Sequence, residues 1–196
     1  MNGREALDPI TTGTAIVTGV QSTAALLRSA KSIVDDVRSV LPDGHDVPNE
    51  ILRMVYLDCE YNIRVLEVMP QTGGAKGTDP AYFDYAHLLR TDAILALLLE
   101  WPNERSYSVQ GILSQKKYWS EKASKLRQKD LLSLARQVLV ACQTLQAISH
   151  VSPKVRNKTQ VRTRLKNVKV WLEMLRAVMI EEERLKDITH PAPRLR

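Results

Sequence analysis

The chain predicts an all-α fold, a mostly up-and-down bundle of about five helices around a central apolar helix over residues 80–100. Three observations point there. Residues that favour helix, namely Ala, Leu, Arg, Lys, Glu and Gln, prevail. Aromatic residues make up only 5%, with a single Phe and eight Gly, which disfavours a sheet sandwich. Apolar residues recur at steps of three and four, the spacing that lines one side of a helix. At 196 residues, one sizeable core is the expectation. The organisation is a flexible lead-in over 1–13, one helical-bundle domain over 14–190 and a C-terminal tail over 191–196.

The first helix is expected from about Thr14 to Leu41, with Val17, Val20, Ala24, Leu27, Ala30, Val34, Val37 and Leu41 forming its seam. Small residues in it, among them Gly19, Ala24, Ala25 and Ala30, would let a neighbouring helix approach closely. Pro42, Asp43 and Gly44 end it by turn chemistry. The stretch from Pro9 to Leu27 carries no charge, yet seven of its residues are Ser, Thr or Gln, so no membrane insertion is expected.

A second helix is expected from Val47 or Pro48 to Met69, with Leu52, Val55, Cys59, Asn62, Leu66 and Met69 in register. Asn62 falls inside the apolar seam, where an amide must find partners and fixes register. PQTGGAKGTD follows and reads as a connector, because a phosphate loop needs a preceding strand. Asp79-Pro80 then opens the central helix, apolar on every side between Ala93 and Leu99, and Trp101-Pro102 closes it.

From Val109 to His150 the pattern is helical in two registers that do not match. Val109, Ile112, Trp119, Ala123 and Leu126 give one; Leu132, Ala135, Val138, Leu139, Cys142 and Leu145 give the other. The mismatch predicts a break near Lys125 to Asp130. The last helix is expected over about Thr159 to Ile188, with Val161, Leu165, Val168, Leu172, Leu175 and Met179 as its seam, broadened by Trp171 and Val178.

Charge divides the chain. Residues 1–100 hold 8 basic and 14 acidic side chains, whereas residues 101–196 hold 20 and 8. Residues 105–169 alone hold 15 basic side chains against Glu121 and Asp130. One stripe is formed by Tyr118, Lys122, Lys125 and Lys129 at steps of four, three and four, an aromatic ring among ammonium groups. A second lies in PKVRNKTQVRTRLKNVK, where Lys158, Arg162, Lys166 and Lys169 align while Lys154, Arg156 and Arg164 widen the positive surface. Such a density suits phosphate neutralisation, so RNA or DNA is the expected partner, bound through shape and backbone. The structural alternative is that Lys stems cover apolar surface and send their charge to water, or that the acidic and basic halves pair. An assembly role is the competing function, with the first helix docking onto a second copy or another protein.

Catalysis finds little support in the residues, and no cofactor or metal is expected. Asp84 and His87 share a helix face that Glu60 or Glu67 could approach, but this is half of one Glu-x-x-His element where a di-iron bundle needs two. Arg184 and His190, with five residues between them, resemble in spacing the catalytic pair of the HEPN family of all-helical ribonucleases. That resemblance implies cleavage of RNA backbone. The chain departs from it in carrying Leu185 directly after the Arg, and in placing His190 before Pro191. Cys59 and Cys142 occupy seam positions and are expected as buried thiols, and with no signal pattern at the start the expected location is cytoplasmic.

Overall fold

A computed structural model describes residues 9–40, 47–68, 86–101, 108–150 and 161–181, with the side chains of 9–23, 26, 47, 48, 161 and 162 left aside. Seven α-helices occur among the described residues: α1 (Pro9–Val40), α2 (Val47–Val68), α3 (Asp92–Glu100), α4 (Gln110–Leu113), α5 (Lys117–Ala123), α6 (Leu131–Ser149) and α7 (Val161–Glu181). A single 3-10 turn spans Ala86–Leu88. Among the described residues there is no strand, only an isolated bridge between Ser108 and Asp130. The fold is an all-α bundle.

Seam positions become the core. On α2, Leu52, Val55, Cys59, Asn62 and Leu66 are all buried; on α6, so are Leu132, Ala135, Val138, Leu139, Cys142 and Leu145. Val168, Trp171, Leu172, Leu175, Val178 and Met179 of α7 complete the set. The helix α7 packs against both α2 and α6, while α3 touches α1, α2 and α6. Among the described residues α6 alone is long and apolar enough to cross a membrane, and nine of its residues are buried in this core.

Four expectations need correction. The helix expected over 80–100 runs only over Asp92–Glu100, preceded by the 3-10 turn and a non-helical stretch from Leu89 to Thr91; residues 80–85 and the proposed Asp79-Pro80 start lie outside the described residues. The cause is a long-range contact. The Asn62 side chain accepts from the Arg90 N–H and donates to the Arg90 carbonyl, each at 2.7 Å, and so removes that residue from any helical ladder. Nor is α3 apolar-buried on every side, since Leu99 is 51% exposed. The stretch 109–150 breaks twice, over 114–116 as well as over 124–130. Finally α1 starts at Pro9, inside the expected lead-in, consistent with proline's preference for a first helical turn.

Polar contacts tie the early elements together. Asp58 of α2 accepts from the Ala93 N–H at the start of α3, where unpaired backbone donors and the helix dipole favour a carboxylate. Burial nevertheless pushes its carboxyl up to about 6. Arg90 stacks on the Tyr61 ring at 3.9 Å, and the Gln146 amide donates to the Leu89 carbonyl at 2.8 Å.

Candidate nucleic-acid interface

Between α3 and α6 the chain makes a helical excursion that carries the first basic stripe. Its neck is closed where the Val109 N–H donates to the Lys129 carbonyl at 2.9 Å, and where Asp130 caps α6 by accepting from the Ser133 N–H at 2.7 Å. Val109, Leu113, Trp119 and Ala123 are buried, and α4 lies against α7. Packing of these apolar residues therefore fixes where the charged side of α5 sits relative to α7.

Lys122 is the junction. Its ammonium donates to the Asn167 side-chain oxygen on α7 and lies 6.0 Å from the centre of the Trp171 ring. Partial burial holds the Lys122 pKa below its ordinary value, and repulsion from the Lys125 ammonium lowers it further. Lys122 and Lys125 thus lie within electrostatic reach of each other, as the step of three on the sequence anticipates. Lys125 and Lys129 are exposed, as are Lys116, Lys117 and Arg127 beside them. Tyr118, 46% exposed, meets the buried Trp119 edge-on with ring centres 5.9 Å apart.

On α7, Arg164 and Lys166 are exposed, and Asn167 follows Lys166 directly. Lys169 behaves differently: its ammonium lies 2.8 Å from Glu67 of α2, and that contact holds the Glu67 carboxyl below its ordinary range. Arg176 likewise pairs with Glu60 at 3.0 Å, and Tyr56 donates to the same carboxylate. Part of the charge division is therefore complementation between the early and late halves. Among the expected site residues, the structure sets Lys122 beside Lys125 and against Asn167 of α7, places Tyr118 by the C-terminal half of α7 and turns Lys169 toward α2. Lys154, Arg156 and Lys158 lie outside the described residues, and the Arg162 side chain is not described.

Sequence reading missed Lys116, Trp119, Asn167 and Trp171 as participants. The Lys116 ammonium sits 4.1 Å over the Trp119 ring, and the run Lys116-Lys117-Tyr118-Trp119, two cations followed by two aromatics, is the signal that could have marked it. Asn167 offers no such signal, since its role depends on which helix faces α7.

Other candidate chemistry stays dispersed. Among the described residues no three His, Cys, Asp or Glu side chains group as metal ligands, and His87 is exposed. Asp84, Arg184 and His190 lie outside the described residues. Cys59 and Cys142 are free and buried, and burial pushes both thiols up, Cys142 to about 12. A thiol so disfavoured from ionising makes a poor nucleophile. No family model, no curated protein and no solved structure matches the chain.

Proposed function

We propose that this chain is a cytoplasmic, non-enzymatic helical module that binds an acidic partner, RNA or DNA, through the basic surface of its C-terminal half. The Lys122 to Asn167 contact carries this reading, because it draws two cation-bearing helices to one junction. Along it Lys122 and Lys125 repel each other, a cost that a bound phosphate would relieve. Exposed Lys125, Lys129 and Lys166 then neutralise backbone phosphates and release counterions. Recognition rests on the phosphate backbone, since no helix among the described residues carries the base-reading pattern of a helix-turn-helix or zinc module.

A gel shift with generic RNA and DNA tests it. Binding is expected at low salt, weakening steeply toward moderate salt, and falling roughly a hundredfold on combining Lys125→Glu, Lys129→Glu and Lys166→Glu. Absence of binding at low salt removes the proposal.

A second reading, assembly through α1, is favoured by one observation. Burial on the described side chains of α1 begins at Ala30, whereas Ala24, Ala25, Leu27 and Arg28 are exposed although the helix extends back to Pro9. Self-association predicts a concentration-dependent mass by light scattering that Ala24→Glu abolishes without unfolding. A constant monomer mass counts against it. The HEPN-type ribonuclease reading predicts RNA cleavage lost in His190→Ala, and RNA left intact after long incubation removes it.

A further inference from the structure

A cleft of about 430 Å³ opens between the start of α5 and the C-terminal half of α7, lined in part by Lys116, Tyr118, Trp119, Glu173, Ile180 and Glu181. Its volume falls in the range of roughly 300–1,000 Å³ usual for small-ligand sites. Two large side chains that the fold leaves exposed, Tyr118 at 46% and Ile180 at 39%, stand in it from different helices. Trp119 also lines it, and the Trp119 indole N–H is the one fully buried side-chain polar atom without a hydrogen-bond partner among the described residues. With its N–H out of solvent reach, Trp119 contributes packing against Tyr118 and no donor to a ligand in the cleft.

The chemistry of this lining differs from the stripe beside it. Glu173 and Glu181 offset the Lys116 and Arg176 cations of the lining and leave no net positive charge to hold a phosphate, whereas Tyr118 and Ile180 present flat and aliphatic surface to a planar ring. Lys122 and Lys125 lie outside the lining, and Tyr118 is shared by the cleft and the stripe. We infer that the cleft receives an unstacked base of a single-stranded polynucleotide whose backbone follows Lys122, Lys125 and Lys129. This rests on the polyanion-binding reading and adds to it the form of the ligand. Stacking on Tyr118 holds the ring, and the carboxylates accept from exocyclic amines, which adenine, cytosine and guanine carry and uracil and thymine do not. A duplex keeps its bases paired and stacked, and so leaves the cleft empty unless a base is extruded.

Fluorescence anisotropy decides this with a short adenine-rich single strand made as RNA and as DNA, an abasic strand of equal length, and a duplex. The intact single strands should bind about tenfold tighter than the abasic strand, Tyr118→Ala should remove that advantage, and Tyr118→Phe should keep it. The RNA and DNA arms show whether the 2′-hydroxyl contributes. Equal affinity for intact, abasic and duplex ligands overturns the inference and leaves the basic surface standing. No binding to any of them overturns both. Circular dichroism on Tyr118→Ala, a change at an exposed position, keeps loss of fold from being mistaken for loss of stacking.

Discussion

The junction between α2 and α3 and the junction between α5 and α7 use polar side chains in opposite ways. At the first, Asn62 satisfies both backbone groups of Arg90, Asp58 caps α3 and Arg90 covers Tyr61, so each polar group faces a protein partner. At the second, Lys122 reaches one neutral amide while Lys125, Lys129 and Lys166 are exposed, and the Trp119 N–H has no partner. Satisfied polar groups hold a fold together, whereas the exposed cations of the second junction are the ones that the proposed polyanion binding would use. Between these extremes lie Lys169 with Glu67 and Arg176 with Glu60, where the late half is neutralised by the early one.

The largest effect should come from breaking the first junction. Asn62→Ala leaves the Arg90 N–H and carbonyl without partners and should cost about 3 kcal/mol, read from urea denaturation. Binding of nucleic acid by the fraction still folded should persist. The complementary change, Lys125→Glu with Lys129→Glu and Lys166→Glu, should leave the denaturation midpoint nearly unchanged while weakening binding at low salt by roughly a hundredfold. If the triple variant unfolds instead, those lysines belong to the scaffold and the contrast collapses.

Asp58 sharpens the comparison from the other side. Its native pKa of about 6 lies above the unfolded value of 3.8, so the folded state holds a proton that the unfolded chain has lost. The stabilisation this gives is fully present below about pH 4 and is lost as pH rises through 6. Asp58→Asn keeps an acceptor for the Ala93 N–H without the buried charge. It should stabilise the protein at pH 7 by about 1 kcal/mol, a value reduced for partial solvent screening. That gain should vanish near pH 4, and an equal gain at both pH values would contradict the assignment. The smallest effect is expected for Glu67→Gln, which frees the Lys169 ammonium. It should steepen the salt dependence of single-stranded RNA binding by up to about 0.7 in log–log slope, one added phosphate contact.

The sequence carried what depends on local periodicity. The seams of α2, α6 and α7 were readable because a 3.6-residue repeat places Val55, Cys59, Val138, Cys142, Leu172 and Leu175 on buried faces with no knowledge of the partner. Asn62 stood out as a polar residue in such a seam, and its structural reading holds. Its partner could not be read, because Arg90 lies 28 residues away and the break falls among helix formers, Leu88, Leu89 and Arg90, just before α3. The seam on α1 was over-extended for a similar reason. Leu27 keeps the period yet is 44% exposed, since periodicity says which face is apolar but not where the covering helix ends. For the candidate site, the step of four from Tyr118 to Lys122 was visible, while the contact that brings it to Asn167 depends on tertiary packing of the excursion on α7.

The central claim is that the late helices gather their cations into one phosphate-binding surface. Measuring the affinity for a generic single-stranded RNA across a series of salt concentrations tests this most directly. The logarithm of the binding constant should fall linearly with the logarithm of salt, by about 0.7 for each phosphate neutralised, with a total slope near −2 to −3 that flattens in the variant combining Lys125→Glu, Lys129→Glu and Lys166→Glu. A slope near zero, or one that the variant leaves intact, would contradict it.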